Sequence, residues 1–101
     1  NHIQGLVIKD NNVIIKETSR GTKKMLQSIN KNNAKGSILI KFPKRKQDLR
    51  ADLPAVGLDT LKDCKISNLK GIVLKSDQNI FIDKKKCISF ANINKIFINV
   101  I

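Results

Sequence analysis

The stretch Ser37–Gly57, SILIKFPKRKQDLRADLPAVG, changes character partway along. Its opening, SILIKF, is an apolar run too short for a helix and reads as a buried strand. From Pro43 to Gly57 prolines stand near both ends and no apolar period appears, which predicts a partly extended loop. Within that loop Asp48 and Asp52 flank Arg50, in a chain where lysine otherwise outnumbers acid heavily.

Working outward, Gln4–Glu17 reads as two short strands joined at Asp10-Asn11-Asn12, a hairpin turn. Thr18–Asn33 begins with small polar residues and Gly21, then places Met25, Leu26 and Ile29 at helical spacing. Ser19 or Thr22 is the expected cap, and Asn32-Asn33 with Gly36 the expected stop. On the other side, Gly57–Asn68 predicts a short helix capped near Asp59 or Thr60, with Leu61 and Cys64 inward. Lys70–Asp83 reads as a second hairpin-like pair turning at residues 76–79. Asp83 then opens a helix carrying Cys87, Ile88 and Ala91 on one face, and Ile96–Ile101 closes the chain as a strand. The order is ββ-α-β-loop-α-ββ-α-β, about six short strands and three helices. This is an α/β single domain with a mixed sheet.

Composition sets the outer bounds. At 101 residues the chain forms one domain at most, and 41% hydrophobic content marks it as globular. No apolar run reaches the length of a membrane span, and no signal peptide is visible. Asn1 in place of a start methionine reads as a piece of something longer. Net charge is +12, which attracts phosphates, nucleic acid or anionic lipid. The lysines as a group also suit a solvated surface, given how Lys, Asn and Ile abound together. Four Phe and no Trp or Tyr leave little to stack bases on, which counts against a small basic nucleic-acid-binding domain. Cys64 and Cys87 lack metal spacing and are expected reduced and buried.

Two segments carry chemistry. In an extended backbone Asp48, Arg50 and Asp52 project to the same side, and the restriction before Pro54 supports extended geometry at Leu53. Such a set forms either a surface ion-pair cluster or a site holding a divalent ion and a phosphate. On spacing alone the ion-pair cluster is the commoner outcome. Ser19–Lys24, SRGTKK, places a glycine and three cations (Arg20, Lys23 and Lys24) at a helix start. It lacks P-loop spacing, and a simply capped helix is the ordinary reading of it.

Taken in order, GTKKML, ILIKFPKRKQDLRADLPAVGLDTL and LKGIVLKSDQNIFID resemble the C-terminal domain of the LpxI family, over essentially the whole chain. The family's Gln-Asp-x-Arg-x-Asp-Leu-Pro-x-(Ile/Val)-Gly-x-x-Thr block stands here as Gln47, Asp48, Arg50, Asp52, Leu53, Pro54, Val56, Gly57 and Thr60, with Lys41 closing the strand before it. The resemblance implies a UDP-2,3-diacylglucosamine pyrophosphatase of lipid A synthesis, magnesium-dependent, releasing UMP and lipid X. It implies Asp52 as the main catalytic or metal-handling carboxylate, assisted by Asp48. Arg50 and Lys41 would face phosphate, and Gln47 would position by hydrogen bonding. It also implies a nucleotide-sugar lipid substrate, an N-terminal partner domain absent from this chain, a cytoplasmic location and peripheral contact with the inner membrane.

The resemblance breaks at one place. The family's Glu-Gly-Thr-Asp is Arg20-Gly21-Thr22-Lys23 here, so two acids become two bases. Gly21 and Thr22 preserve the helix start, and Arg20 with Lys23 offer phosphate binding instead. A diverged, non-catalytic binder of phosphate or nucleotide-sugar lipid is therefore the alternative to an enzyme. The expected site brings the Asp48–Asp52 segment and the Gly21–Thr22 helix start across one cleft.

Overall fold

A computed structural model describes residues 5–18, 20–41, 55–74 and 80–101. Strands β1 (Gly5–Lys9) and β2 (Asn12–Lys16) form the opening hairpin. Asp10 and Asn11 both take positive φ (51° and 66°) at its turn, a conformation that Asp and Asn tolerate better than most residues. Helices α1 (Thr22–Gln27) and α2 (Lys31–Ala34) follow, then β3 (Ile38–Lys41) and β4 (Ala55–Val56). The remainder is α3 (Leu58–Ile66), β5 (Gly71–Leu74), β6 (Ile80–Phe81), α4 (Lys84–Asn94) and β7 (Phe97–Val100).

Five strands form one mixed sheet in the order β2-β1-β3-β5-β7. β1 runs antiparallel to both neighbours, whereas β3, β5 and β7 are parallel. Register aligns Ile15, Val7, Leu39, Ile72 and Ile98 as one row across the sheet. Val7, Leu39 and Ile72 in that row are fully buried, and the core continues through Leu26, Leu61, Cys64 and Cys87 from the helices. Each large aliphatic side chain so buried contributes about 1.5–3 kcal/mol. α1 packs on α3 and α3 on α4. The Ser67 hydroxyl ties the first two together by donating to the Leu26 carbonyl at 2.8 Å.

The α/β class and mixed sheet agree with the sequence, and four element details differ. First, the expected single helix after Gly21 is two. Asn30 Oδ1 accepts from the N–H groups of Asn32 (2.9 Å) and Asn33 (3.4 Å), starting α2 afresh three residues after α1 ends. Second, β5 and β6 are not a hairpin. β5 already has parallel partners on both edges, so β6 has no edge of it to join and pairs in parallel with β4 as a separate ribbon. Third, Gly57 rather than Asp59 or Thr60 caps α3, while Asp83 caps α4 as expected, without a side-chain bond. Fourth, Ile88 is 44% exposed, although Cys87 and Ala91 on α4 are buried as expected. The expected turn at 76–79 lies outside the described residues.

Both cysteines are free and buried. Burial, with a smaller contribution from the Asp63 carboxylate, pushes the Cys64 thiol up from 9.0 to about 12. The native state therefore holds a proton that the unfolded chain gives up once pH exceeds the ordinary thiol value. Stability from this group is intact below that value and falls by about 1.4 kcal/mol per unit as pH rises from it toward 12. Urea unfolding of the wild type and Cys64→Ala between pH 8 and pH 10.5 checks this, and the wild type should lose stability more steeply.

Candidate functional site

The site grows from the strand ends. β3 finishes at Lys41, and antiparallel pairing sets Gly5, the start of β1, directly opposite it. The Glu17 N–H donates to the Gly5 carbonyl at 2.9 Å, extending the hairpin one residue past β2 and fixing Glu17 at the same edge. A Cβ on Gly5 would sit 3.0 Å from Glu17 Oε1, 3.4 Å from the Ile40 carbonyl and 3.5 Å from Lys41 Cδ. Glycine at this position leaves room for the carboxylate and for the lysine stem.

A short turn then brings the helix start over this edge. The Gly21 N–H closes onto the Thr18 carbonyl at 3.0 Å, and the Arg20 N–H donates to Thr18 Oγ1 at 3.2 Å. Gly21 has φ 93° and ψ 176°, a region that side chains disfavour. Its carbonyl accepts the first helical bond, from the Met25 N–H at 3.2 Å. Thr22, the first residue of α1, is thereby placed with its hydroxyl free for the sheet edge rather than used as a cap.

Three side chains meet there. Lys41 Nζ donates to Thr22 Oγ1 at 2.6 Å and lies 3.4 Å from Glu17 Oε1, while the Thr22 hydroxyl donates to that same carboxylate oxygen. The Lys41 and Glu17 side chains are each only 7% exposed. Removing both charges from water is costly, and the pair persists because the charges neutralise one another and the hydroxyl bridges them. An ammonium has three N–H donors, of which Thr22 and Glu17 take two.

The structure thus joins two of the expected site residues, Lys41 and Thr22, and gives Gly21 the role of shaping the turn between Thr18 and α1. Arg20 goes elsewhere. With Lys16, Lys24 and Met25 it lines a concavity of about 460 Å³ between the end of β2 and α1. Lys23 is exposed on α1. Gln47, Asp48, Arg50 and Asp52 lie outside the described residues, as does their expected approach to Gly21 and Thr22. The chain enters that segment directly from Lys41.

Sequence reasoning missed Glu17. A signal was present: it is the sole glutamate in the chain and the only acid between Asp10 and Asp48, at the end of a strand and just before the glycine turn. Among the described residues no group of three His, Cys, Asp or Glu side chains gathers as a metal site.

Comparison with known proteins bears on what this edge serves. The family model of the LpxI C-terminal domain matches residues 1–99. The chain is also similar to the UDP-2,3-diacylglucosamine pyrophosphatase LpxI of Caulobacter vibrioides, with 28% identity over 97 residues. That match covers 88% of this chain and 35% of the relative, so the chain spans about a third of the curated protein.

The cluster can be dissected by a double-mutant cycle. Lys41→Met leaves the Glu17 carboxylate buried without its cation and should cost about 3–5 kcal/mol in urea unfolding. Combining it with Glu17→Gln should restore a large part of that loss. Additive losses would show that the two side chains do not act as a pair.

Proposed function

The chain belongs to the LpxI C-terminal domain family, and on that premise we propose that it is the C-terminal part of a UDP-2,3-diacylglucosamine pyrophosphatase acting in lipid A biosynthesis. In this reading water attacks the α-phosphorus of the substrate. The bond to the bridging oxygen breaks, leaving UMP and 2,3-diacylglucosamine 1-phosphate. The observation that carries the proposal is the family match along nearly the whole chain. It is supported by the contact of Lys41 with Thr22, which joins the strand leading into the Asp-x-Arg-x-Asp block to the Gly-Thr helix start.

The roles follow from residue chemistry. Asp52, assisted by Asp48, orients the attacking water and takes up its proton, because a carboxylate is the ordinary base for this task. Arg50 forks onto phosphate oxygens, and Gln47 hydrogen-bonds the substrate. Lys41 stands at the entrance to that segment with its ammonium held by Glu17 and Thr22, as a hydrogen-bond donor toward phosphate. Magnesium, when bound, would neutralise the dense charge of the pyrophosphate. The described residues do not form its site on their own, since Glu17 is committed to Lys41 and Thr22. Asp48 and Asp52 would supply oxygen donors to the ion, as the family resemblance implies. A contact of the basic surface with the anionic inner leaflet belongs to the same proposal, as the substrate is a lipid.

Arg20 and Lys23 favour a second reading, in which the domain binds a phosphate-bearing ligand without turning it over. One assay separates the two. UMP release from UDP-2,3-diacylglucosamine with magnesium is measured on the longest native protein containing this chain, beside its Asp52→Ala variant. The enzyme reading expects turnover that falls by about a hundred-fold or more in the variant. Substrate binding without UMP release supports the binding reading.

A further inference from the structure

Strand β7 closes one side of the sheet, and among the described residues only β5 pairs with it. The N–H groups of Phe97 and Ile101 point toward β5, donating to the Lys70 carbonyl at 3.0 Å and the Leu74 carbonyl at 2.9 Å. Backbone directions alternate along an extended strand, so the N–H and C=O groups of Ile98 and Val100 point to the open side. The Phe97 ring does not shield that side. It is turned inward across the sheet and lies over Gly71, where any Cβ would collide with it.

An open edge of this kind is ordinarily blunted by charge. The opposite edge follows that rule: β2 ends in Lys16, and Glu17 extends it. β7 does not follow it. From Ile96 to Ile101 the chain reads IFINVI, without a charged residue in a protein of net charge +12. Phe97, Val100 and Ile101 are nonetheless 41%, 44% and 68% exposed. Two copies of so basic a chain repel one another, and this uncharged strip lets them approach with little of that repulsion.

The strip is also self-complementary. Antiparallel pairing about a dyad through Asn99 sets Ile98 opposite Val100 of the second copy, and Val100 opposite its Ile98. These are the residues whose backbone groups face outward, so each pair exchanges both N–H···O bonds. The same register sets Phe97 opposite Ile101 of the copy, so that exposed apolar side chains meet apolar partners. Ile98 lines a hollow of about 170 Å³ with Ile88, Ala91 and Ile96, and Val100 of the copy would fall beside it. Sliding the copies by two residues in either direction keeps the backbone bonds but sets Phe97 or Ile101 against Asn99.

We propose that β7 is a homodimerisation edge, through which two copies of this chain pair antiparallel at Ile98 and Val100 and join their sheets into one. The proposal draws nothing from the hydrolase reading or from any ligand. So short a strand pair buries an area at the low end for specific interfaces, which sets an expected dissociation constant of about 10–100 µM.

The test is sedimentation equilibrium of the longest native protein containing this chain, up to about 300 µM, where a dimer should form. Val100→Lys places a charge in the pairing strip of both copies and should weaken association by about ten-fold or more. Val13→Lys, at a 46% exposed valine on the β2 edge, should leave it within about two-fold. Asn99→Cys tests the register and keeps the proposal open to refutation if Val100→Lys fails to fold. At the dyad the facing Cα atoms lie about 4.5 Å apart, within reach of a disulfide, so mild oxidation should link the copies. Val13→Cys should link no more than the unsubstituted protein, whose Cys64 and Cys87 are buried. A monomer throughout the range, a dimer indifferent to Val100→Lys, or equal cross-linking of the two cysteine variants overturns the proposal.

Discussion

An ammonium group taken out of water at the end of β3 sets the terms for the surrounding structure. Lys41 can be buried there because Glu17 brings a compensating carboxylate and Thr22 bridges the two with its hydroxyl. Each of those partners carries a further requirement. Glu17 needs β2 extended by one residue and a neighbour without a side chain, which Gly5 supplies. Thr22 needs α1 to begin over the sheet edge, which the Thr18–Gly21 turn and the positive φ of Gly21 arrange. Hairpin, turn, helix start and central strand are thereby locked through one buried polar contact, whose partial loss costs more than its presence gains.

The two ends of the sheet differ electrically. At one end the C-termini of α2, α3 and α4 meet lysines that complement them, and that arrangement is self-sufficient. At the other, the buried pair is neutral and the surrounding cations have no described counter-charge. Open α/β sheets bind ligands outside the C-terminal ends of their parallel strands, and Lys41 stands at that end of β3. Part of the excess positive charge of the chain is thus structural, held by lysines at the ends of helices.

Much of the architecture was legible along the chain because it rests on local patterns. The Asp10-Asn11-Asn12 turn between two short apolar runs marked the opening hairpin, the short aliphatic run marked β3, and the spacing of Leu61 with Cys64 and of Cys87 with Ala91 marked the inner faces of α3 and α4. Where the reading differed, a longer-range constraint had intervened. Ile80–Phe81 is as strand-like as any segment, but whether it pairs with β5 depends on whether β5 has a free edge, and that is decided by β3 and β7. Asn30 divided a helix that apolar spacing alone would continue, because a side-chain oxygen can claim backbone donors at a new helix start.

The site divides in the same way. Sequence alone named Gly21, Thr22 and Lys41 as site residues, through two motifs that resemble one family, and it placed a glycine at the start of the helix. It did not single out Glu17, nor did it separate Arg20 from Thr22, with only Gly21 between them. Those assignments required tertiary structure. A carboxylate becomes a partner only when strand register brings it within reach of a cation. Two near neighbours on either side of a glycine turn diverge, one onto the buried sheet edge and the other into the hollow beside α1.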